Sequence, residues 1–351
     1  MRRLLGLVAT GIVGLMLVVS CGKKEEYKEY TLQGNFNEAL TDMPVLLISM
    51  STGDTLAYDT IRNGHFTING KLVRPDLAQL RIGGSKSGNI VLEPGTVYYS
   101  IDSIGGTPLN EVMHRFNKKG NEVFEALTQL QKDSILPDTV KYRELKELSE
   151  NYQNYKDSIK LANIDNPVGA SFFIDDAYEM STEDLQQTME DHPSLKAYSK
   201  LNLILSQKKL AQETAPGKPY KDFEVSFNGT TTKLSDLIQP DHFTLVDFWA
   251  SWCGPCRREI PVIKQIKEEW GPKGLDVIGV AVWDEPADTE KAVQELGIDW
   301  PVIINAQTIP TDIYGILSIP SIFLIGPDGI ILARDVTGQD LQEAVSNAMT
   351  K

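Results

Sequence analysis

The stretch DFWASWCGPCRREIP, residues 247–261, sets Cys253 and Cys256 one helical turn apart in a chain of 351 residues that has a single further cysteine, Cys21. Two sulfurs at that spacing can bond each other or share a metal. A closed zinc site takes four ligands, and the sequence offers no second cysteine pair. The four histidines stand at positions 65, 114, 192 and 242, all before the pair, so a copper site with a downstream His is excluded too. A peroxidatic cysteine would follow a Thr by three residues, where Ala250 stands. No metal and no cofactor is expected, and reversible disulfide chemistry remains.

That chemistry needs a strand followed by a helix. The apolar run FTLVDFWA ends at Ala250, and a helix is expected from about Cys256 to Trp270. Cys253 then sits at the helix N-terminus, where unpaired N–H groups and the helix dipole stabilise a thiolate. Thiolate, not thiol, is the attacking species. Pro255 is tolerated in a first helical turn and stiffens it. Cys256, one turn inside, is the more shielded sulfur and is placed to attack a mixed disulfide formed at Cys253. A purely structural disulfide would usually bridge distant segments instead of closing so small a ring. Arg257 and Arg258 either tune Cys253 or solvate the helix face.

After the linker QETAPGKPY, residues 212–220, the text alternates β and α: LDVIGVAV, DTEKAVQELG, PVII, a short helix near TDIYGI, SIFLIG, the turn PDG, IILAR, and a last helix from about Gln339 to Ala348. The motif VDFWASWCGPCRREIP resembles the active site of thioredoxin-like proteins. The longer frame KLSDL…TLVDFWASWCGPCRREIP…IPSIFLIGPDGII resembles the membrane-anchored envelope thiol–disulfide oxidoreductases, which include reductants that serve cytochrome c maturation. The resemblance covers about residues 215–351 and implies an α/β thioredoxin-like fold there. It implies that Cys253 and Cys256 form the redox disulfide, that Asp247 lies beneath Cys256 as its proton acceptor, and that Pro320 is the cis-proline beside the disulfide. The backbone of Ile319 would pair with an extended substrate, and Trp252, Gly254 and Pro255 would line the contact surface, with Trp249, Trp283 and Trp300 in the core. Gly254-Pro255 is the dipeptide of reducing thioredoxins. Residues 283–311 resemble the helix and strand that envelope members insert. Thioredoxins pair the buried Asp with a Lys of the next strand; LDVIGVAVW has none, so Asp247 is expected to ionise with more difficulty.

The rest of the chain reads as a delivery and support apparatus. Arg2 and Arg3 precede an apolar run, Leu4 to Val19, that would reach only ~24 Å as a helix, short of a bilayer core of ~30 Å. A secretory leader over residues 1–20 fits better than a permanent span. The following VVSC resembles the lipobox of bacterial lipoproteins, which implies lipidation at Cys21 and an anchor in the cell envelope facing the periplasm; because the envelope is oxidising, a membrane electron donor is expected to re-reduce the cysteine pair. A plain signal peptide that happens to contain a cysteine is the alternative. Residues 21–29 read as a charged tether.

Residues 30–105 carry short β-rich pieces (PVLLISM, GHFTING, LAQLRI, GNIVLEPGTVYYSID) broken by Gly, Asn, Asp and Pro, which predicts a small antiparallel sandwich. It resembles the β-rich N-terminal domain of some envelope thioredoxin-like lipoproteins. Residues 106–211 are helical. Leu109, Met113, Phe116, Gly120, Val123, Leu127 and Leu130 form one seam, and Leu145, Leu148, Tyr152, Tyr155, Ile159 and Ala162 another, with Pro137 at the turn. The pair predicts a hairpin packed within the chain, with a homodimer seam as the second reading. Ser181 begins an N-cap, STED.

The net charge of −14 argues against a nucleic-acid partner. Loss of the leader leaves 32 basic against 48 acidic side chains, a net −16, so the lipid and not charge would hold the membrane. The expected activity is reduction of protein disulfides. The alternatives are an isomerase or oxidant using the same residues, and a binding or assembly lipoprotein with an accessory redox domain.

Overall fold

The computed structural model describes residues 26–350; the leader and Cys21 lie outside them. Eight strands build the N-terminal unit: β1 (Lys28–Asn35), β2 (Pro44–Ser49), β3 (Thr55–Thr60), β4 (His65–Leu72), β5 (Asp76–Ile82), β6 (Ser85–Leu92), β7 (Gly95–Tyr99) and β8 (Ile104–Gly105). They form two four-stranded sheets, ordered β4-β1-β7-β8 and β3-β2-β5-β6. Leu32, Val45, Leu47, Leu77, Leu80, Ile90 and Val97 are fully buried in a common core. One pairing departs from the expected antiparallel pattern: β1 and β7 run parallel, Leu32 opposite Val97. A parallel pair needs a long crossover, and β2 to β6 supply it. Alternation in β1 and β7 told which face is buried but not which strand lies alongside.

The helical region follows. Helices α1 (Pro108–Lys132) and α2 (Asp138–Ala162) form the hairpin, with Pro137 directly before α2. Part of its seam packs within the chain. Phe116 stacks on Tyr152 and Tyr155 and meets Phe172 edge-on at 4.7 Å. The buried Asn110 fastens α1 to the sandwich by exchanging hydrogen bonds with the Val91 backbone at 2.7 and 3.0 Å. Helix α3 (Pro167–Asp176) is buried over most of its length, α4 (Thr182–Asp191) is capped by Ser181 Oγ, and α5 (Ser199–Glu213) leads out. Among the described residues no helix is long and apolar enough to cross a membrane.

The C-terminal unit begins with a hairpin that the sequence reading missed, β9 (Glu224–Phe227) and β10 (Thr230–Lys233). Its signal was present: Asn228-Gly229 both adopt positive φ, 48° and 78°, the two-residue turn that hairpins favour. The main sheet contains β11 (Phe243–Trp249), β12 (Leu275–Ala281), β13 (Val302–Ile303), β14 (Ser321–Ile325) and β15 (Ile331–Arg334), in the order β13-β12-β11-β14-β15. β12 and β13 run parallel to β11, whereas β14 is antiparallel to it and to β15. β11 is central and almost wholly buried, which accounts for its unbroken apolar run. Helices α6 (Gly254–Trp270), α7 (Pro286–Leu296) and α9 (Gly338–Met349) pack on one face through Ile260, Ile263, Ala292, Leu341 and Val345. The β9–β10 hairpin and α8 (Ile309–Tyr314) cover the other through Phe223, Val225 and Tyr314.

Candidate active site

Strand β11 delivers the chain to one end of the sheet, and residues 250–252 turn it into α6. Cys253 is the N-cap of that helix, with non-helical φ and ψ of −79° and 101°. Its Sγ accepts a hydrogen bond from Cys256 N at 3.1 Å. Gly254 and Pro255 fill the first turn, where the missing proline N–H costs no helical bond. Cys253 and Cys256 are joined as a disulfide, with Cα atoms 5.3 Å apart. Cys256 is fully buried, and Cys253 keeps 3% of its surface. The cysteine that keeps exposed surface is thus the one at the helix N-terminus, where a released thiolate gains from the Cys256 amide and the helix dipole.

The segment from Ile316 runs into Ile319, whose carbonyl oxygen lies 3.8 Å from Cys253 Sγ. The Ile319–Pro320 peptide is cis. Ile319 and Pro320 are partly exposed beside the disulfide. Trp252 stands out from the surface, 63% exposed, and its indole N–H donates to Trp283 O at 3.0 Å.

Asp247 is 1% exposed in β11. Strand alternation turns it to the face of Leu245 and Trp249, which pack in the same cluster as Cys256 and Ile260. Neither carboxylate oxygen has a hydrogen-bond partner among the described residues. Burial, and secondly the nearby Glu259 carboxylate, push its pKa up to about 8. This matches the missing lysine on β12. Glu259 was not singled out from the sequence. It projects from α6 one turn after Cys256, is 8% exposed, and accepts a 2.6 Å hydrogen bond from Gly338 N at the start of α9. Its spacing, CxxE after Cys256, was the available signal.

Asp284 was also missed. Its buried carboxylate accepts from Ser251 N at 2.8 Å, Ser251 Oγ at 2.7 Å and Thr289 Oγ1 at 2.7 Å. It thereby pins the residue before Trp252 to the start of α7. The Arg257 guanidinium reaches Ser251 O and Glu295 Oε2, each at 3.3 Å. Trp249 and Trp300 are core residues, but Trp283 is only half-buried, at φ 54°, with its carbonyl committed to Trp252. Among the described residues no cluster of three His, Cys, Asp or Glu side chains is arranged to hold a metal ion.

Residues 216–334 match the model of the AhpC/TSA family. The C-terminal domain is thioredoxin-like. Its relatives include the thiol-disulfide oxidoreductase ResA of Geobacillus thermodenitrificans, 28% identical over 133 residues, which spans 37% of this chain and 75% of the relative. ResA of Bacillus subtilis is 27% identical over 122 residues, 35% of this chain and 66% of the relative. Among solved structures, the thioredoxin domain of a thiol-disulfide oxidoreductase from Bacteroides vulgatus is 26% identical and covers 38% of this chain and 96% of that one, with a TM-score of 0.34. Within the thioredoxin-like domain, Cys253 and the cis-proline segment meet after the end of β11, and Asp247 lies on the strand face of Leu245 and Trp249, which share a cluster with Cys256.

Proposed function

We propose that the protein is a thiol–disulfide oxidoreductase that reduces protein disulfides in the cell envelope, held there by lipid on Cys21. The observation that carries this reading is the position of Cys253: the N-cap of α6, its sulfur against Cys256 N and beside the Ile319 carbonyl. The names of the ResA relatives support the same chemistry.

In the reduced protein, the Cys253 thiolate attacks one sulfur of a substrate disulfide. The substrate S–S bond breaks, its electron pair leaves with the other substrate sulfur, and a mixed disulfide forms at Cys253. Cys256 then gives up its proton and attacks Cys253 Sγ, which releases the second substrate thiolate and closes the Cys253–Cys256 disulfide. The two electrons end on the substrate. Asp247 takes the Cys256 proton when it is ionised, in a minority of molecules at pH 7 that grows as pH rises toward 8: its pKa of about 8 lies close to that of an ordinary thiol, about 8.5, so the transfer is nearly balanced. An ionised Asp247 in water would hold no proton near neutral pH and would be a weak base. Ile319 offers backbone groups to an extended substrate strand, while Trp252 and Pro255 supply apolar contact. A membrane donor restores the dithiol, since the envelope is oxidising.

Trapping tests this directly. Cys256→Ser should accumulate covalent mixed disulfides with envelope proteins that dithiothreitol releases, and Cys253→Ser should accumulate none. Equal behaviour of the two variants would overturn the assigned roles of attacking and resolving sulfur.

A further inference from the structure

The sandwich and helical region carry no chemistry of their own in this account, yet they meet the redox domain next to its substrate edge. The end of α5 presses on α8: Gln207 Nε2 donates to Asp312 Oδ1 at 3.1 Å, and Thr214 Oγ1 donates to Tyr314 O at 3.0 Å. Gly315, at φ 67°, allows the close approach, because a Cβ there would stand 2.2 Å from Gln207 O. Leu317 packs against the N-terminal core. Two residues on, the same segment passes Cys253 at Ile319.

One side chain holds both ends of that segment. Arg334, the last residue of β15, has a side chain only 8% exposed. Its Nη1 donates to Tyr314 O at 2.8 Å, to Ala211 O at 3.3 Å and to Thr214 Oγ1, and its Nη2 donates to Gly315 O at 3.3 Å. On the other side its Nε donates to Asp335 Oδ2 at 2.8 Å, and Asp335 Oδ1 accepts from the Ser321 hydroxyl. The guanidinium also lies over the Phe323 ring, 4.8 Å from its centre. Tyr314–Gly315 is the entry to the segment beside Cys253, and Ser321 is its exit. A planar fork of five donors can reach both while holding α5; an ammonium cannot.

We propose that Arg334 is a positioning residue that ties the entry and exit of the segment 314–321 to helix α5, and so fixes the Ile319 backbone in the register that a disulfide-bearing polypeptide needs for docking. The inference rests on the reductase reading above. It gives the helical region a part in substrate capture: α5 is the fixed point against which the pairing edge is set. The sulfur chemistry of Cys253 and Cys256 is untouched by it.

The test uses the full chain with Cys21→Ser, so that only Cys253 and Cys256 react. Pre-reduced protein is mixed with two substrates in single-turnover stopped flow. Insulin is a disulfide-bonded polypeptide, and dithiobis-nitrobenzoate is a small disulfide with no backbone to pair. Arg334→Gln should raise the half-saturating insulin concentration about tenfold, the loss expected from charge-assisted hydrogen bonds. The maximal insulin rate and the rate with the small disulfide should stay within about twofold of wild type, and the reduction potential should not move. Arg334→Lys should not restore insulin binding. Ser321→Ala cuts only the Asp335 branch and should weaken insulin binding in the same direction, by less. If Arg334→Gln does not fold, Ser321→Ala and Asp335→Ala decide the matter by the same comparison. Equal losses with both substrates, or unchanged insulin half-saturation, would overturn the positioning role. A wild-type protein that reduces neither substrate would overturn the reductase reading instead.

Discussion

Replacing Asp247 by Asn should make the oxidised thioredoxin-like domain more stable at neutral pH while slowing its turnover. Asp247 is 1% exposed, its oxygens are unpartnered among the described residues, and its pKa stands at about 8. In the unfolded chain the group titrates near its ordinary value of 3.8. Below that pH the carboxyl is protonated in both states, and the favourable balance is complete. Between 3.8 and about 8 only the unfolded chain releases the proton, so stability falls as pH rises. Above about 8 both states are ionised and the penalty levels off. At pH 7 the interval is about 3 units, and at about 1.36 kcal/mol per unit the penalty is at most about 4 kcal/mol.

Asn keeps the shape and does not titrate, so its advantage should grow from nearly nothing at pH 4 toward that figure at pH 7 and level off only above about pH 8. The assay is urea unfolding from pH 4 to 9 followed by tryptophan fluorescence. All five tryptophans lie between residues 249 and 300, so the signal reports on this domain alone. In parallel, resolution of a mixed disulfide at Cys253 should slow by about 10²-fold at pH 8, where much of Asp247 is ionised, and by less at pH 7, because Asn cannot accept the Cys256 proton. Glu259→Gln removes the second cause of the raised pKa and should end the stability fall at a lower pH, with its onset near 3.8 unchanged. An Asp247→Asn protein no more stable than wild type at pH 7, or a difference that does not grow with pH, would refute the buried, proton-holding carboxyl.

Cys21→Ala should release the protein from membranes while leaving disulfide reduction intact, since two acyl chains give lasting anchorage and charge gives none at net −16; retention in a high-salt membrane wash would contradict the lipid anchor. Residues 215–351 hold every strand and helix of the thioredoxin-like domain and should fold alone by circular dichroism. That fragment lacks Ala211 and Thr214, two acceptors of Arg334, so it should reduce small disulfides normally and insulin at a higher half-saturating concentration. An unfolded fragment would place the domain boundary earlier in the chain.

The redox site was the most legible part of the sequence because its signals are local. A cysteine pair, a proline in the first turn and an apolar strand before them define a helix N-cap without knowledge of distant residues. Pro320 and Asp247 were legible only through resemblance. What escaped was set by long-range pairing. Asp284 and Arg334 look like surface charges in sequence, and only the fold shows their partners to be Ser251 and Thr289 in one case and α5 in the other. Likewise, the alternation of Tyr30, Leu32 and Gly34 marks a buried face, but nothing in it says that β7 runs parallel beside β1. The Asn228-Gly229 turn is different: it was a local signal, overlooked beside the stronger strand that follows.

The reduction potential of the Cys253–Cys256 couple tests the central claim most directly. Protein equilibrated in dithiothreitol buffers of graded ratio is quenched with acid, and the free thiols are alkylated and counted. A reductant with a Cys-Gly-Pro-Cys helix start should lie near the value of thioredoxin, about −270 mV, and a value near that of a strong oxidant, about −120 mV, would contradict the assignment.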